Sequence, residues 1–238
     1  MGSDSAAELL PAVGSSGAAG APNATHIVAS TFGVIVGLAG LEHGIGEILQ
    51  GRVAPPGLMF PSWPHSEMLA VMAGEPAMSV VPDLLLSGCL TVLLSLTTIV
   101  WSLAFLGRKH AGIVLMALSI LLLLLGGGMA PPLMGLIVGA AATRIRKPLK
   151  RWSVRAPGKP APLLARLWPY LLAASVVGYL ALLPGIPLAS QFLEIDDPAF
   201  VGWLALFSFA TLMLAVAGAL VSDSYQSGRV HPPAGLSA

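Results

Sequence analysis

The sequence is short of charge. Only 10% of its 238 residues are Asp, Glu, Lys or Arg, too few to cover the surface of a soluble domain. A single cysteine, Cys89, excludes an intrachain disulfide; inside an apolar run it reads as a small packing residue. The first 25 residues contain no Lys or Arg, so no cleavable signal peptide is expected. Rich in Ala, Gly, Ser and Pro, that arm (1–25) reads as disordered. The net charge of +1 gives no footing for nucleic acid. Walker A, GxSxG, HExxH, CxxC and Rossmann patterns are missing too. No enzyme activity and no cofactor is therefore expected.

What the chain has in abundance is apolar sequence: 55% of residues, with a mean hydropathy of +0.84. The apolar runs are continuous rather than alternating. They predict membrane-crossing helices, since lipid leaves the backbone no other partner. The pattern predicts an all-α polytopic membrane domain over 26–221. Its spans are expected at about 26–50, 84–106, 167–186 and 199–221, followed by a short polar tail, 222–238. Asp197 and Pro198 suit the start of the last span. A Pro-rich connection, 51–82, is expected to be ordered and folded over the spans.

The stretch 111–143 needs a separate reading. As one straight helix its 33 residues would reach about 50 Å, too long for a hydrocarbon core of about 30 Å. The central "GGGMAPP" predicts a break and a helical hairpin, 111–127 and 131–143. That gives six membrane segments. The 144–166 loop carries eight of the twelve Lys and Arg residues. With both termini cytoplasmic, eleven of the twelve fall inside, as the positive-inside rule prefers. The 51–82 connection and the acidic "LEIDDP" loop are then external, in a prokaryotic cytoplasmic membrane. The 144–166 loop is also a candidate site for anionic lipid head groups, besides setting topology.

Charged-type residues inside apolar runs are the candidate functional positions. "LEHGIGEILQG" closes the first span. At 100° per residue, Gly33, Gly37, Gly40 and Gly44 form one smooth seam that admits a neighbouring helix. Glu47 lies on that seam, with His43 and Gln50 along its edge. This makes a polar strip facing the interior, with His43 and Glu47 an i,i+4 pair. Glu42 projects to the opposite side, among Ile35, Leu38, Ile45 and Leu49, and reads as isolated there. Ionisable groups at such depth serve a relay, a cation or a structural hydrogen bond. In "SWPHSEMLAVM", His65, Met68 and Met72 follow i, i+3, i+7 beside Glu67, a weak pattern for Cu(I). Met at helical spacing is ordinarily packing, so an interfacial helix with Trp63 at headgroup level is the plainer reading.

"LEHGIGEILQG", "SWPHSE", "GEPAMSVVP" and "GGGMAPPLMGLIVGAAATRI" resemble a family of small polytopic prokaryotic membrane proteins of unassigned function, over about residues 27–146. The resemblance implies a membrane fold with these stretches as its signature. It implies no activity, cofactor or partner. Two functions then stand as expectations. The first is a non-catalytic scaffold or accessory subunit packing through the seam on a membrane protein or a second copy. The second is a small proton- or cation-coupled transporter or channel using Glu42, His43 and Glu47. The lack of a visible internal repeat, with a single visible break, inclines the sequence to the first.

Overall fold

The computed structural model describes residues 23–146, 160–194 and 197–230. Seven α-helices build it: α1 Ala24–Gln50, α2 Leu84–Ala104, α3 Ala111–Leu124, α4 Ala130–Ala142, α5 Pro160–Leu180, α6 Ile186–Leu193 and α7 Pro198–Val230. Among the described residues, four helical stretches are long and apolar enough to cross a membrane: 24–50, 84–104, 162–193 and 198–226. Most of the expected disordered arm, most of the basic loop and the end of the tail lie outside the described residues.

Local chemistry fixes the helix ends. Asn23 accepts from the His26 amide (2.8 Å), and Asp83 accepts from Leu86 (2.9 Å), both as N-caps. Gly51, at φ 80, ends α1 by returning its N–H to Ile48. The fourth apolar run does not end at 186. It bends over Ala181–Gly185, where Leu183 is extended (φ −135, ψ 110), and continues as α6. Proline disfavours helical backbone in the residue before it, and Pro184 follows Leu183. The chain therefore carries two breaks, where composition alone suggested one. Nor does α7 stop at 221. It continues to Val230, because Ser222, Asp223 and Ser224 are buried.

The 111–143 stretch is a hairpin. Ser119 packs on Gly135, Met116 on Gly139, and Gly112 on Gly139 and Thr143, so α3 and α4 run antiparallel. Their lengths, about 21 and 20 Å, fall short of the hydrocarbon thickness. The tip is held by the 51–82 connection and by α2: Val80 of the connection donates to the Leu124 carbonyl at 3.0 Å, and Ser87 of α2 to the Leu125 carbonyl at 2.8 Å.

The packing is inverted relative to a soluble protein. On α2, Ser87, Gly88, Thr91, Ser95, Thr98 and Ser102 are buried, while Leu86, Leu93, Leu96, Val100 and Leu103 are exposed. Small residues inside and leucines outside suit a hydrocarbon solvent, where close backbone approach drives association. Cys89 faces outward as well, because Gly88, one residue earlier, takes the inward position. It is not the packing residue the apolar run suggested. The α1 seam meets this stripe directly. Gly33 lies on Ser102, Gly37 on Ile99, Gly40 on Ser95, and Gly44 on Gly88 and Val92. A Cβ added to Gly44 would stand 3.0 Å from the Gly88 carbonyl. The seam is therefore filled from within the chain.

Candidate functional site

The connection 51–82 carries two strands, β1 Met59–Pro61 and β2 Pro76–Met78, paired antiparallel with Phe60 opposite Ala77. One step beyond, the Ser62 amide donates to the Glu75 carbonyl (3.0 Å), and Trp63 to Gly74 (2.9 Å). Ala73, Gly74 and Glu75 all hold left-handed backbone, with φ of 54, 66 and 55. For Ala and Glu that conformation is strained, and such strain collects at functional sites. The turn sets Ser62 and Glu75 against the second half of α1.

Three ionisable side chains converge there. His43 Nε2 lies 3.6 Å from a Glu75 carboxylate oxygen and 4.0 Å from one of Glu42. Single donor atoms of Glu42, His43 and Glu75 all fall within 4.8 Å of one another. The other imidazole nitrogen, Nδ1, is 2.8 Å from the Ser62 hydroxyl. His43 and Glu75 are buried; Glu42 keeps 30% of its side chain exposed. Among the described residues, no amide or hydroxyl donates to either buried Glu75 oxygen or to the buried Oε2 of Glu42; the two carboxyls lie within hydrogen-bond reach of each other only, a bond that needs a proton on one of them. Among the described residues, no Lys or Arg forms an ion pair with either carboxylate. The Glu75 carboxyl is pushed well above the usual range, first by burial and then by the neighbouring Glu42.

Two expectations are corrected here. Glu42 is not isolated on an apolar face. Leu38, Ile45 and Leu49 are exposed around it as expected, but its own carboxylate turns toward His43. Adjacent helix positions are only 100° apart, a gap a Glu side chain spans, and Glu75 stands beside it. Nor do His43 and Glu47 pair. His43 is drawn to Ser62 and Glu75, whereas Glu47 packs against Gly126 at the hairpin tip. Gly126 and Gly128, at φ 104 and 79, sit on the Glu47 carboxylate and the His43 imidazole, each where a Cβ would collide. Ser87 adjoins Glu47 but donates to Leu125, so the buried Glu47 oxygens have no hydrogen bond. Gln50 donates to the Ser62 carbonyl (2.9 Å) and fastens the connection to α1.

The thioether pattern does not assemble. His65, Met68 and Met72 line three different cavities. The segment Glu67–Met72 is a 3-10 helix, with Ser66 its N-cap and His65 outside it. At three residues per turn, positions 68 and 72 diverge.

Two cavities flank the carboxylate cluster. One, of about 500 Å³, is lined mainly by apolar residues, with Glu42, Trp63 and Tyr179 on its wall. The other, of about 190 Å³, is lined by His43, Glu75, Met72, Met134 and again Tyr179. The Tyr179 hydroxyl is buried without a partner. Glu75, Ser62 and Tyr179 were not anticipated as site residues. Only Glu75 left a signal, as an acid set between Gly74 and Pro76 in a connection otherwise poor in charge.

No protein family, curated protein or solved structure matches the chain.

Proposed function

We propose that the chain is a six-segment membrane protein that binds and conducts a cation at Glu42, His43 and Glu75. One observation carries this reading: two inward carboxyls face each other and a single imidazole, and among the described residues no amide, hydroxyl or fixed cation neutralises them. An ion removed from water costs several kcal/mol unless compensated. A carboxylate kept for architecture alone finds donors. The compensating charge must therefore arrive, as a proton or a metal ion. Flanking cavities give it room, and Glu42, partly exposed, gives it a first contact.

In this reading the α3–α4 hairpin makes two of the six segments, entering and leaving on the cytoplasmic side. Both termini are cytoplasmic, and the 144–166 loop meets anionic head groups there. The site lies toward the external face under the 51–82 connection, in a prokaryotic cytoplasmic membrane. Glu47 serves as a second acid behind the hairpin tip. A scaffold or accessory role is less favoured, because α2 already occupies the glycine seam that would have received a partner.

The test is purified protein in liposomes under imposed proton and divalent-cation gradients. A flux that vanishes in Glu42→Gln and Glu75→Gln, with both variants folded, is expected. Wild-type protein that moves neither species would overturn the reading and return the chain to the scaffold class.

A further inference from the structure

We propose that the cation is a divalent first-row transition-metal ion, held by Nε2 of His43 and one carboxylate oxygen each from Glu42 and Glu75. The proposal rests on the cation-site reading above and gives it a ligand class. Four observations on the site itself carry it.

The first is spacing. Charge-assisted hydrogen bonds run to about 2.7–2.9 Å. The gaps from Nε2 to the carboxylates, 3.6 and 4.0 Å, are wider, so these groups face one another without bonding. Donors about 2.1 Å from a tetrahedral metal lie about 3.4 Å apart. Small rotations of two glutamate side chains close the difference.

The second is orientation. Ser62 is buried and engages Nδ1, as partners behind metal-bound histidines do. With Nδ1–H donating to the Ser62 hydroxyl, Nε2 presents its lone pair to the space between the carboxylates.

The third is Glu75 itself. It is 3% exposed, no amide or hydroxyl among the described residues donates to its oxygens, and its backbone is left-handed. A residue held this way is placed there by its surroundings against its own preference. The fourth is Gly128, where a Cβ would collide with Nε2 and block that nitrogen.

The donor set narrows the ion. It offers one borderline nitrogen and hard oxygens, with no thiolate. Imidazole with carboxylate suits Mn(II), Fe(II), Co(II) or Zn(II) rather than Cu(I). Three protein donors leave at least one position for water, and the 190 Å³ cavity beside His43 and Glu75 has room for it.

The test uses the full chain in detergent after chelator treatment. Co(II) is titrated and followed by its visible d–d bands, and Zn(II) binding is counted by equilibrium dialysis. One ion per chain is expected. Glu75→Gln and His43→Gln should each weaken binding at least tenfold. Ser62→Ala, which keeps all three donors, should weaken it several-fold. Glu67→Gln, on the exposed side of the same connection, should leave it unchanged. Because a variant can misfold, the wild type is also melted with and without Zn(II); the ion should raise Tm there and not in Glu75→Gln. A folded wild type that binds neither ion overturns the proposal, as does equal binding in wild type, Glu75→Gln and His43→Gln. Proton flux without metal binding would sink the metal and leave the cation reading standing. Metal binding without flux would uphold the metal site and sink conduction.

Discussion

The two ends of α1 treat buried carboxylates in opposite ways. At its start, Asp223 of α7 reaches across to accept from the Ala24 amide (2.8 Å) and the Thr25 amide (2.9 Å). Asn23 beside it accepts from His26 and donates to the Ile145 carbonyl (2.9 Å). Helix N-termini present unsatisfied amides and a positive dipole end, and a carboxylate answers both. The acid there accepts from two amides and ties α1 to α7, while Asn23 ties it to the turn after α4. Toward the other end, Glu42, Glu47 and Glu75 carry buried oxygens that no amide donates to among the described residues. Architecture accounts for the first arrangement and not for the second. A carboxylate with its donors in place is a fastening. A carboxylate buried without them fits the proposed receptor for a charge from outside.

The contrast is breakable, and the largest effect is expected at the fastened end. Asp223→Ala should lower stability in detergent by about 3 kcal/mol, since hydrogen bonds to charged groups contribute about 1.5–3 kcal/mol each. It should leave Co(II) affinity intact. A loss under about 1 kcal/mol would mean that Asp223 is not the lock described. At the other end, Glu75→Gln should change the stability of the metal-free protein by less than about 1 kcal/mol, because burial already favours the neutral carboxyl there and an amide of the same shape replaces it. If it destabilises as much as Asp223→Ala, Glu75 is architectural and the contrast fails.

The smallest perturbation sharpens the contrast by asking which way the two ends face. In a Cys89→Ala background, single cysteines replace Ser66, in the connection over the carboxylate cluster, or His110, at the turn before α3. An impermeant thiol reagent on intact cells should label position 66 and spare position 110. Labelling at 110 alone would put the cluster on the cytoplasmic side and overturn the proposed topology.

Much of the fold was legible because its causes are local. Hydropathy located the long helices, and the 100° step placed Gly33, Gly37, Gly40 and Gly44 on one line before their neighbour was known. The glycines and prolines of "GGGMAPP" announced a turn. The same arithmetic failed for Glu42, because it follows the Cβ direction and not the reach of a long side chain. It also paired His43 with Glu47, since spacing along a helix says nothing about what another segment offers. The small-residue stripe of α2, Ser87 to Ser102, was readable at helical spacing but carries no charge to draw the eye.

By itself, then, the sequence determined which segments are helical, which suit lipid, where the 111–143 stretch breaks and that α1 carries a close-packing face. These depend on backbone hydrogen bonding and transfer from water within one turn or one helix. Tertiary structure alone decided that α2 fills the seam and that Asp223 caps a helix beginning 199 residues earlier. It also decided that Glu75, from a strained turn, completes a cluster with Glu42 and His43. Those contacts join residues far apart in the chain. Their formation depends on how the loops close and which buried groups meet, and no local period encodes that.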